Sequence, residues 1–417
     1  MVGCKMHNSL TQNRWEAFLA HGLPNRSNER FKYHDFSFLL KSALANATRL
    51  DETAALRECV DAHRLREKPS ILLVLVNGYF VPALSDLERI PDDAIVTCIH
   101  EARTLYPDWV EQYGSLPIDQ TKYPFAELNA QSYSDGLFIY LKAGCNLTDP
   151  IHLLSIGMNT EAFIAQPHHI IVLDIASRLT LIEEYVSLHD AVSCLTNVLM
   201  NVVLKEKTFF NHCKIQNEQS SALHCSNTFI KQKKDSQSVL THFSKGGVFS
   251  REDWMVLLEE MGASCMTAGL YHAKRNHQSV AHYVDIKHAA PACRSDMLYK
   301  GIADKKSRAI FDGRLSVDEC ASKTVATQTN RHLLLSKDAE AYSKPSLEIN
   351  AQDVSCKHGA TTGHLDSEVL LYLRSRGISY QEAIEIFLSG FSEEVIQRVM
   401  DPAVRAHVRE AMSVVSE

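Results

Sequence analysis

Apolar positions along this chain change their spacing twice. Near the amino end they recur at helical intervals. Trp15, Phe18 and Leu19 share one face, and Ala54, Ala55, Leu56, Val60 and Leu65 suit a second amphipathic helix. Between them, the charged and aromatic residues 23–35 read as a surface connector pinned by Phe31 and Tyr33. Pro69 closes this helical region, which spans residues 1–68. The run Ile71–Val76, followed by Asn77-Gly78 and Tyr79-Phe80-Val81, predicts a β-hairpin, because Asn-Gly supplies the positive φ angles of a type I′ turn. Residues 92–113 read as helical again, with Ile95, Cys98, Ile99 and Ala102 on one face, until Pro117 and Pro124 break the pattern.

From about residue 125 to 355 the spacing shortens. Apolar stretches at 137–141, 151–156, 170–175, 179–182, 198–204, 281–286, 308–311, 315–317, 324–328 and 333–335 alternate with polar turns. Many short strands without intervening helices predict an all-β body. A sandwich and a parallel β-helix both satisfy this pattern. No crisp repeat favours the β-helix, yet stacked coils tolerate degenerate repeats, so periodicity leaves both open. Residues 250–262 conflict with this texture: Ser250 as a cap, acidic residues in the first turn and Gly262 at the end suit a helix. From residue 366 helices return. Asp366 caps a segment carrying Leu370, Leu371 and Leu373 that stops at Gly377. Ser379-Tyr380-Gln381-Glu382 is a capping box opening a helix with Ile384, Phe387, Leu388 and Phe391 on its apolar face. Asp401-Pro402 starts the last helix. The organisation expected is an N-terminal helical unit (1–68), a β body (69–365, with a helical insertion near 92–113) and a C-terminal helical unit (366–417). The last has limited apolar surface and should dock on the β body or on a partner.

Composition narrows the function. A formal net charge of -7 without a basic block argues against nucleic-acid binding. The longest apolar run, Ile71–Val76, is too short to span a bilayer, and no signal-peptide core opens the chain, so a cytoplasmic protein is expected. The 11 cysteines are odd in number and none forms a Cys-x-x-Cys pair, which excludes zinc-ribbon, ferredoxin and thioredoxin spacings. His168-His169 would point to opposite faces of a strand and reads as structural. Asn211-His212-Cys213, His224-Cys225, Cys293 and Cys320 read as ordinary fillers of a packed body. No phosphate-binding glycine loop and no Gly-x-Ser-x-Gly elbow occur. Asp285 and Asp296 do not form the paired acids a carbohydrate-active β-helix enzyme needs.

One segment carries distinctive chemistry: Cys356-Lys357-His358-Gly359-Ala360-Thr361-Thr362-Gly363. On an extended strand, positions i and i+2 share a face, so Cys356 and His358 could reach one soft metal centre while Lys357 points away. The plain alternative is a pair of structural residues in an interaction module.

The wider context of that segment resembles a known family. The residues are His282-Tyr283-Val284-Asp285-Ile286-Lys287-His288, Phe311-Asp312-Gly313-Arg314, Lys344-Pro345-Ser346-Leu347-Glu348-Ile349, the Cys356–Gly363 stretch, and Tyr372-Leu373-Arg374-Ser375-Arg376-Gly377-Ile378. The connector from Leu23-Pro24 to Asp35 and the hairpin Val76-Asn77-Gly78-Tyr79-Phe80-Val81-Pro82 extend the match toward the amino end. Together they resemble the SufB/SufD family of iron–sulfur cluster assembly proteins. Two departures side with SufD: Lys357-His358-Gly359-Ala360-Thr361 stands where SufB-like chains carry Glu-His-Glu-Ala-Thr, and Asn330 stands roughly where they carry a cysteine. The resemblance implies a right-handed parallel β-helix between N- and C-terminal α-helical domains, and places residues 250–262 on a strand. It implies a non-catalytic scaffold that pairs with a SufB-like chain through the β-helices. A SufC-like ABC ATPase would bind the C-terminal helices and hold the ATP. The iron–sulfur cluster would be transient, shared with the partner and passed to apo-proteins, with Cys356 and His358 as this chain's ligands. It leaves room for a homodimer of the isolated chain. A flavin is associated with such complexes, and no residue here argues for a site.

Overall fold

A computed structural model describes residues 14–413, apart from 21, 38, 40–43, 51, 116–118, 120, 159–160 and 189–192. Helix α1 covers residues 14–20. There follow β1 (Ala45–Asn46), α2 (Ala54–His63), β2 (Ile71–Val76), β3 (Tyr79–Phe80) and β4 (Ala94–Cys98). Next come α3 (Ile99–Leu105), α4 (Pro107–Gly114), α5 (Pro124–Ser132), β5 (Leu137–Leu141), β6 (Ile151–Gly157), β7 (Phe163–Ala165) and β8 (His168–Leu173). The body continues through β9 (Arg178–Ser187), β10 (Cys194–Leu204), β11 (Phe209–Gln216), β12 (Leu223–Gln232), β13 (Gln237–Ser244), β14 (Phe249–Leu258) and β15 (Ser264–Ala273). It ends with β16 (Ser279–His288), β17 (Arg294–Ala303), β18 (Arg308–Val317), β19 (Val325–Leu334), β20 (Glu340–Ile349) and β21 (Ser355–His364). Helices α6 (Ser367–Ser375), α7 (Tyr380–Ile396) and α8 (Pro402–Met412) close the chain.

Even-numbered strands from β8 to β20 stack in parallel in one sheet, and β6 with the odd-numbered strands from β9 to β21 stack in the other. Each coil contributes one strand to each sheet, so the body is a parallel β-helix of about seven turns with helices at both ends. Strands of the second sheet begin at residues 178, 209, 237, 264, 294, 325 and 355, intervals of 27 to 31.

The repeat is conformational, and it is carried by a turn. Ala176, Lys207, Asp235, Gly262, Ala292 and Lys323 all take positive φ. The residue after each is small and buried: Ser177, Thr208, Ser236, Ala263, Cys293 and Thr324. These six stand in register on successive coils, one residue ahead of the paired strands. Several of their hydroxyls bond a turn carbonyl three residues back, as Ser177 Oγ does to Asp174 O at 2.6 Å and Thr324 Oγ1 to Ala321 O at 2.8 Å. A small donor there satisfies a carbonyl that the tight turn would otherwise bury unpaired.

Local readings and structure part at four places. Residues 92–113 are not helical throughout: β4 pairs antiparallel with β5, and only α3 and α4 follow it. An unpaired edge beside β5 outweighs the helical spacing of Ile95, Cys98 and Ile99. Residues 250–258 lie on β14, as the resemblance implied, because β12 and β16 pair with it along its whole length, while 259–262 form the turn that follows. The stretches at 308–311 and 315–317 are one strand, β18, and those at 324–328 and 333–335 are one strand, β19. Their polar centres look like turns, but flanking strands bond the backbone straight through them. The Asn77-Gly78 hairpin forms as expected, with φ of 53° and 81° and antiparallel pairing of β2 and β3.

The outer faces of the two sheets are covered by the chain ends. Trp15, Phe31, Phe36, Leu39 and Leu44 pack on Leu195, Leu223, Cys225 and Phe249 of the first sheet. Leu388, Val395, Val399, Val404 and Val408 pack on Ile182, Cys213, Ile215, Phe243 and Leu298 of the second. The cap residues act as expected: Asp366 accepts from Glu368 N and Val369 N, Ser379 and Glu382 form a capping box, and Asp401 accepts from Ala403 N and Val404 N.

Candidate functional site

Cys356 and His358 lie on β21, the last strand of the second sheet. β21 pairs with β19 in a register that sets Cys356 beside Ala326, His358 beside Gln328 and Ala360 beside Asn330. Ala326, Gln328 and Asn330 are buried and face the interior of the β-helix. The i, i+2 rule therefore puts Cys356 and His358 on the same interior-side face, and Lys357 on the other. Among the described residues no further coil covers them. Cys356 is half-buried against the interior apolar cluster, and His358 and Lys357 are exposed.

The neighbouring rim is polar. Gln328 Nε2 donates to Gly313 O at 3.1 Å, and Asn330 Oδ1 accepts from Ser343 Oγ at 2.6 Å. Burial pushes the Cys356 thiol up. Losing its proton to become a soft ligand therefore needs a cation at the sulfur, which an arriving metal supplies. A thiolate and a neutral imidazole are a donor pair suited to iron. Among the described residues, no further His, Cys, Asp or Glu converges with them into a set of three. The described chain thus presents one thiol and one imidazole on an open coil.

The edge itself is extensive. Among the described residues β20 bonds only to β18, and β21 only to β19, so one long side of each ten-residue strand has no described strand beside it. Unpaired parallel edges are ready templates for another chain.

The cysteines and histidines read as fillers divide by face. Cys213 lies under the C-terminal helices and Cys225 under the N-terminal segment, both outside the β-helix interior. Burial pushes the Cys213 thiol up to about 12. Their neighbours in sequence, His212 and His224, point inward. His212 Nε2 stands 2.8 Å from Glu183 Oε2, and His224 bridges Glu218 and Glu252 at 2.8 and 3.2 Å. Lys214 joins Glu252 at 2.9 Å. Burial opposes ionisation of Glu183 and Glu252, yet Lys214 with His212 and His224 holds both carboxyls below their ordinary range. The network sets buried carboxylates against buried cationic groups inside the β-helix. Cys293 is buried in the turn column, whereas Cys320, expected in the core, is exposed.

The C-terminal helices present a second surface. α7 and α8 dock on the body, with Lys300 Nζ donating to Phe391 O at 2.8 Å and Arg398 meeting Asp296 at 2.5 Å. Helix α6 contacts α7, and its Leu371 and Tyr372 are 66% and 58% exposed. Val369 on α6 and Tyr380 and Ile386 on α7 are also exposed.

One convergence escaped the sequence reading. His152, Glu184 and His407 meet between the outer face of the second sheet and α8. Glu184 and His407 are 223 positions apart, so no local spacing announces them.

The paired carboxylates of a glycosidase are not formed. Asp285 lies on β16 in the first sheet, and Asp296 lies on β17 in the second, bonded to Arg398. No helix among the described residues is long and apolar enough to cross a membrane.

Comparison with known proteins agrees with this architecture. The family model described as "SUF system FeS cluster assembly, SufBD core domain" matches residues 156–391, and the one described as "SufBD protein N-terminal region" matches residues 3–153. An iron-sulfur cluster assembly SufBD family protein of Synechocystis is 27% identical over 94% of this chain and 87% of its own length. The iron-sulfur cluster assembly protein SufD of Escherichia coli is 29% identical over 95% of this chain and 90% of its own. A chloroplastic protein of Arabidopsis thaliana, ABCI7, is 26% identical over 94% of this chain and 83% of its own.

Proposed function

Because the chain belongs to the SufBD family of iron–sulfur cluster assembly proteins, we propose that it is a non-catalytic scaffold subunit that completes its metal site only with a partner. The partner is a SufB-like chain that pairs through the open terminal coil formed by β20 and β21. Cys356 and His358 contribute two ligands to an iron–sulfur cluster that is built at this interface as cargo and passed to apo-proteins. The observation that carries this reading is the pairing of an open strand edge with an incomplete donor set on its last strand. In isolation the same edge would let the chain form a homodimer.

A SufC-like ABC ATPase binds ATP and docks on the C-terminal helices. The exposed apolar side chains of Val369, Leu371, Tyr372, Tyr380 and Ile386 on α6 and α7 support this assignment. The chain has no phosphate loop of its own. No residue set argues for a flavin. The cytoplasm is the proposed compartment.

The test is anaerobic cluster assembly by this chain co-purified with SufB-like and SufC-like proteins. Replacing Cys356 and His358 together by Ala should leave the complex intact and slow cluster formation at least ~10-fold, the usual cost of removing metal ligands or their supports. An undiminished rate would remove both residues from the site and leave a plain interaction module.

A further inference from the structure

We propose that His152, Glu184 and His407 form a binding site for a single divalent transition-metal ion, separate from the cluster ligands at Cys356 and His358. Both imidazoles turn Nε2 toward one carboxylate oxygen. Glu184 Oε2 lies 3.1 Å from His152 Nε2 and 2.9 Å from His407 Nε2. All three donor atoms lie within 4.8 Å of one another. With metal–ligand bonds of ~2.1 Å, adjacent donors of one ion stand ~3.0–3.4 Å apart, so the two short edges already suit coordination.

The surroundings also fit. His152 and Glu184 have side chains 0% and 3% exposed, and His407 15%. A buried carboxylate calls for positive charge, which an ion between these donors supplies more fully than one shared proton. A cleft of about 450 Å³ reaches Glu184 and His407 and is bordered by His63, Asn217 and Glu410, leaving a solvent route and room for water ligands. Two imidazoles and one carboxylate are the donors that Fe²⁺ and Zn²⁺ share with other borderline ions. The three residues come from β6, β9 and α8. The ion would therefore fasten the last helix to the β body.

Cobalt(II) is the probe, because its visible d–d bands report nitrogen and oxygen ligation directly. The full chain, stripped with a chelator and titrated with CoCl₂, should bind one equivalent, and its melting temperature should rise with bound ion. H407A, altered at the most exposed of the three, should lose the bands and weaken binding at least ~10-fold. Glu184→Gln, which keeps the shape and removes the charge, should do the same. The Cys356→Ala/His358→Ala chain should keep the bands unchanged. Absence of a one-equivalent Co²⁺ spectrum on the unsubstituted chain, or binding by H407A equal to it, overturns the site. Either result leaves the cluster-assembly reading untouched, since that rests on different residues.

Discussion

Single residues carry most of the interior's chemistry here. Burial holds His169, His282, His288 and His332 neutral, at about 4. A histidine whose folded value is depressed below ~6.5 takes up protons more readily when unfolded, so its contribution is present above that value and lost as pH falls. Glu183, Glu218 and Glu252 act in the same direction, below ~4.5. His224 and His407 are raised and act oppositely, favouring the folded state at lower pH. The depressed groups outnumber these two, so the denaturant midpoint should fall steadily between pH 7 and pH 4.5. A flat midpoint would mean that the interior histidines are hydrated. Trp254, fully buried and stacked 3.9 Å from His242, fills the same interior. Trp254→Ala should cost ~3–5 kcal/mol by chemical denaturation. At this scale the candidate site was half legible. The Cys-x-His spacing and its context identified Cys356 and His358, and strand periodicity oriented them. The triad of His152, Glu184 and His407 was not legible, because its proximity is created by coil stacking and by α8 folding back.

At the level of the element, what decides is the neighbour on either side. β14 has a helix-like sequence and is a strand because β12 and β16 bond it throughout. β11, β12, β13, β15 and β17 escaped the reading because their inward positions are often polar, as in His212, Lys214 and His224, while outward Cys213, Ile215 and Cys225 are covered by the chain ends. Apolar and polar residues then no longer report inside and outside. Packing between coils is equally specific. Tyr299 lies over Gly269 and Tyr271 over Gly301, and a Cβ on either glycine would stand 2.3 or 2.5 Å from a ring carbon. Gly301→Ala should therefore destabilise the fold by ~1–3 kcal/mol, read as a shifted denaturation midpoint. On α6, Leu371→Arg should weaken binding of the proposed SufC-like ATPase while leaving the melting temperature within about 2 °C, since an exposed substitution away from the core is close to neutral. Deleting residues 366–417 is a poorer probe, because α7 and α8 bury apolar side chains against the second sheet.

For the molecule as a whole, the resemblance resolved what periodicity could not. Sandwich and β-helix predict the same short strands, and the coil repeat lies in a positive-φ turn followed by a small buried residue, a signal spread over Ser, Thr, Ala and Cys. The open end of the β-helix gives a global test. Ser355 N bonds to Thr324 O, so by the alternation of a parallel ladder the odd-numbered amides of β21 face β19 and the even-numbered ones face the open edge. Ala360→Pro removes an outward amide and spares the internal ladder. It should abolish pairing with a SufB-like chain, measured by sedimentation or co-purification, with little change in thermal melting. Persistent pairing would move the interface off this edge. The N-terminal segment runs across the coils toward that same end. Arg30 meets Asp253 at 2.6 Å, Tyr33 stacks on Tyr342 at 4.3 Å between centroids, and Glu29 meets Lys344 at 2.7 Å. Glu29 and Lys344 are 315 positions apart. Every coil that this segment crosses follows it in the chain, from Leu195 to Phe249 and Tyr342. Phe31 and Phe36 therefore stay uncovered until the coils carrying Leu223 and Phe249 have formed, and Tyr33 until the coil carrying Tyr342 has.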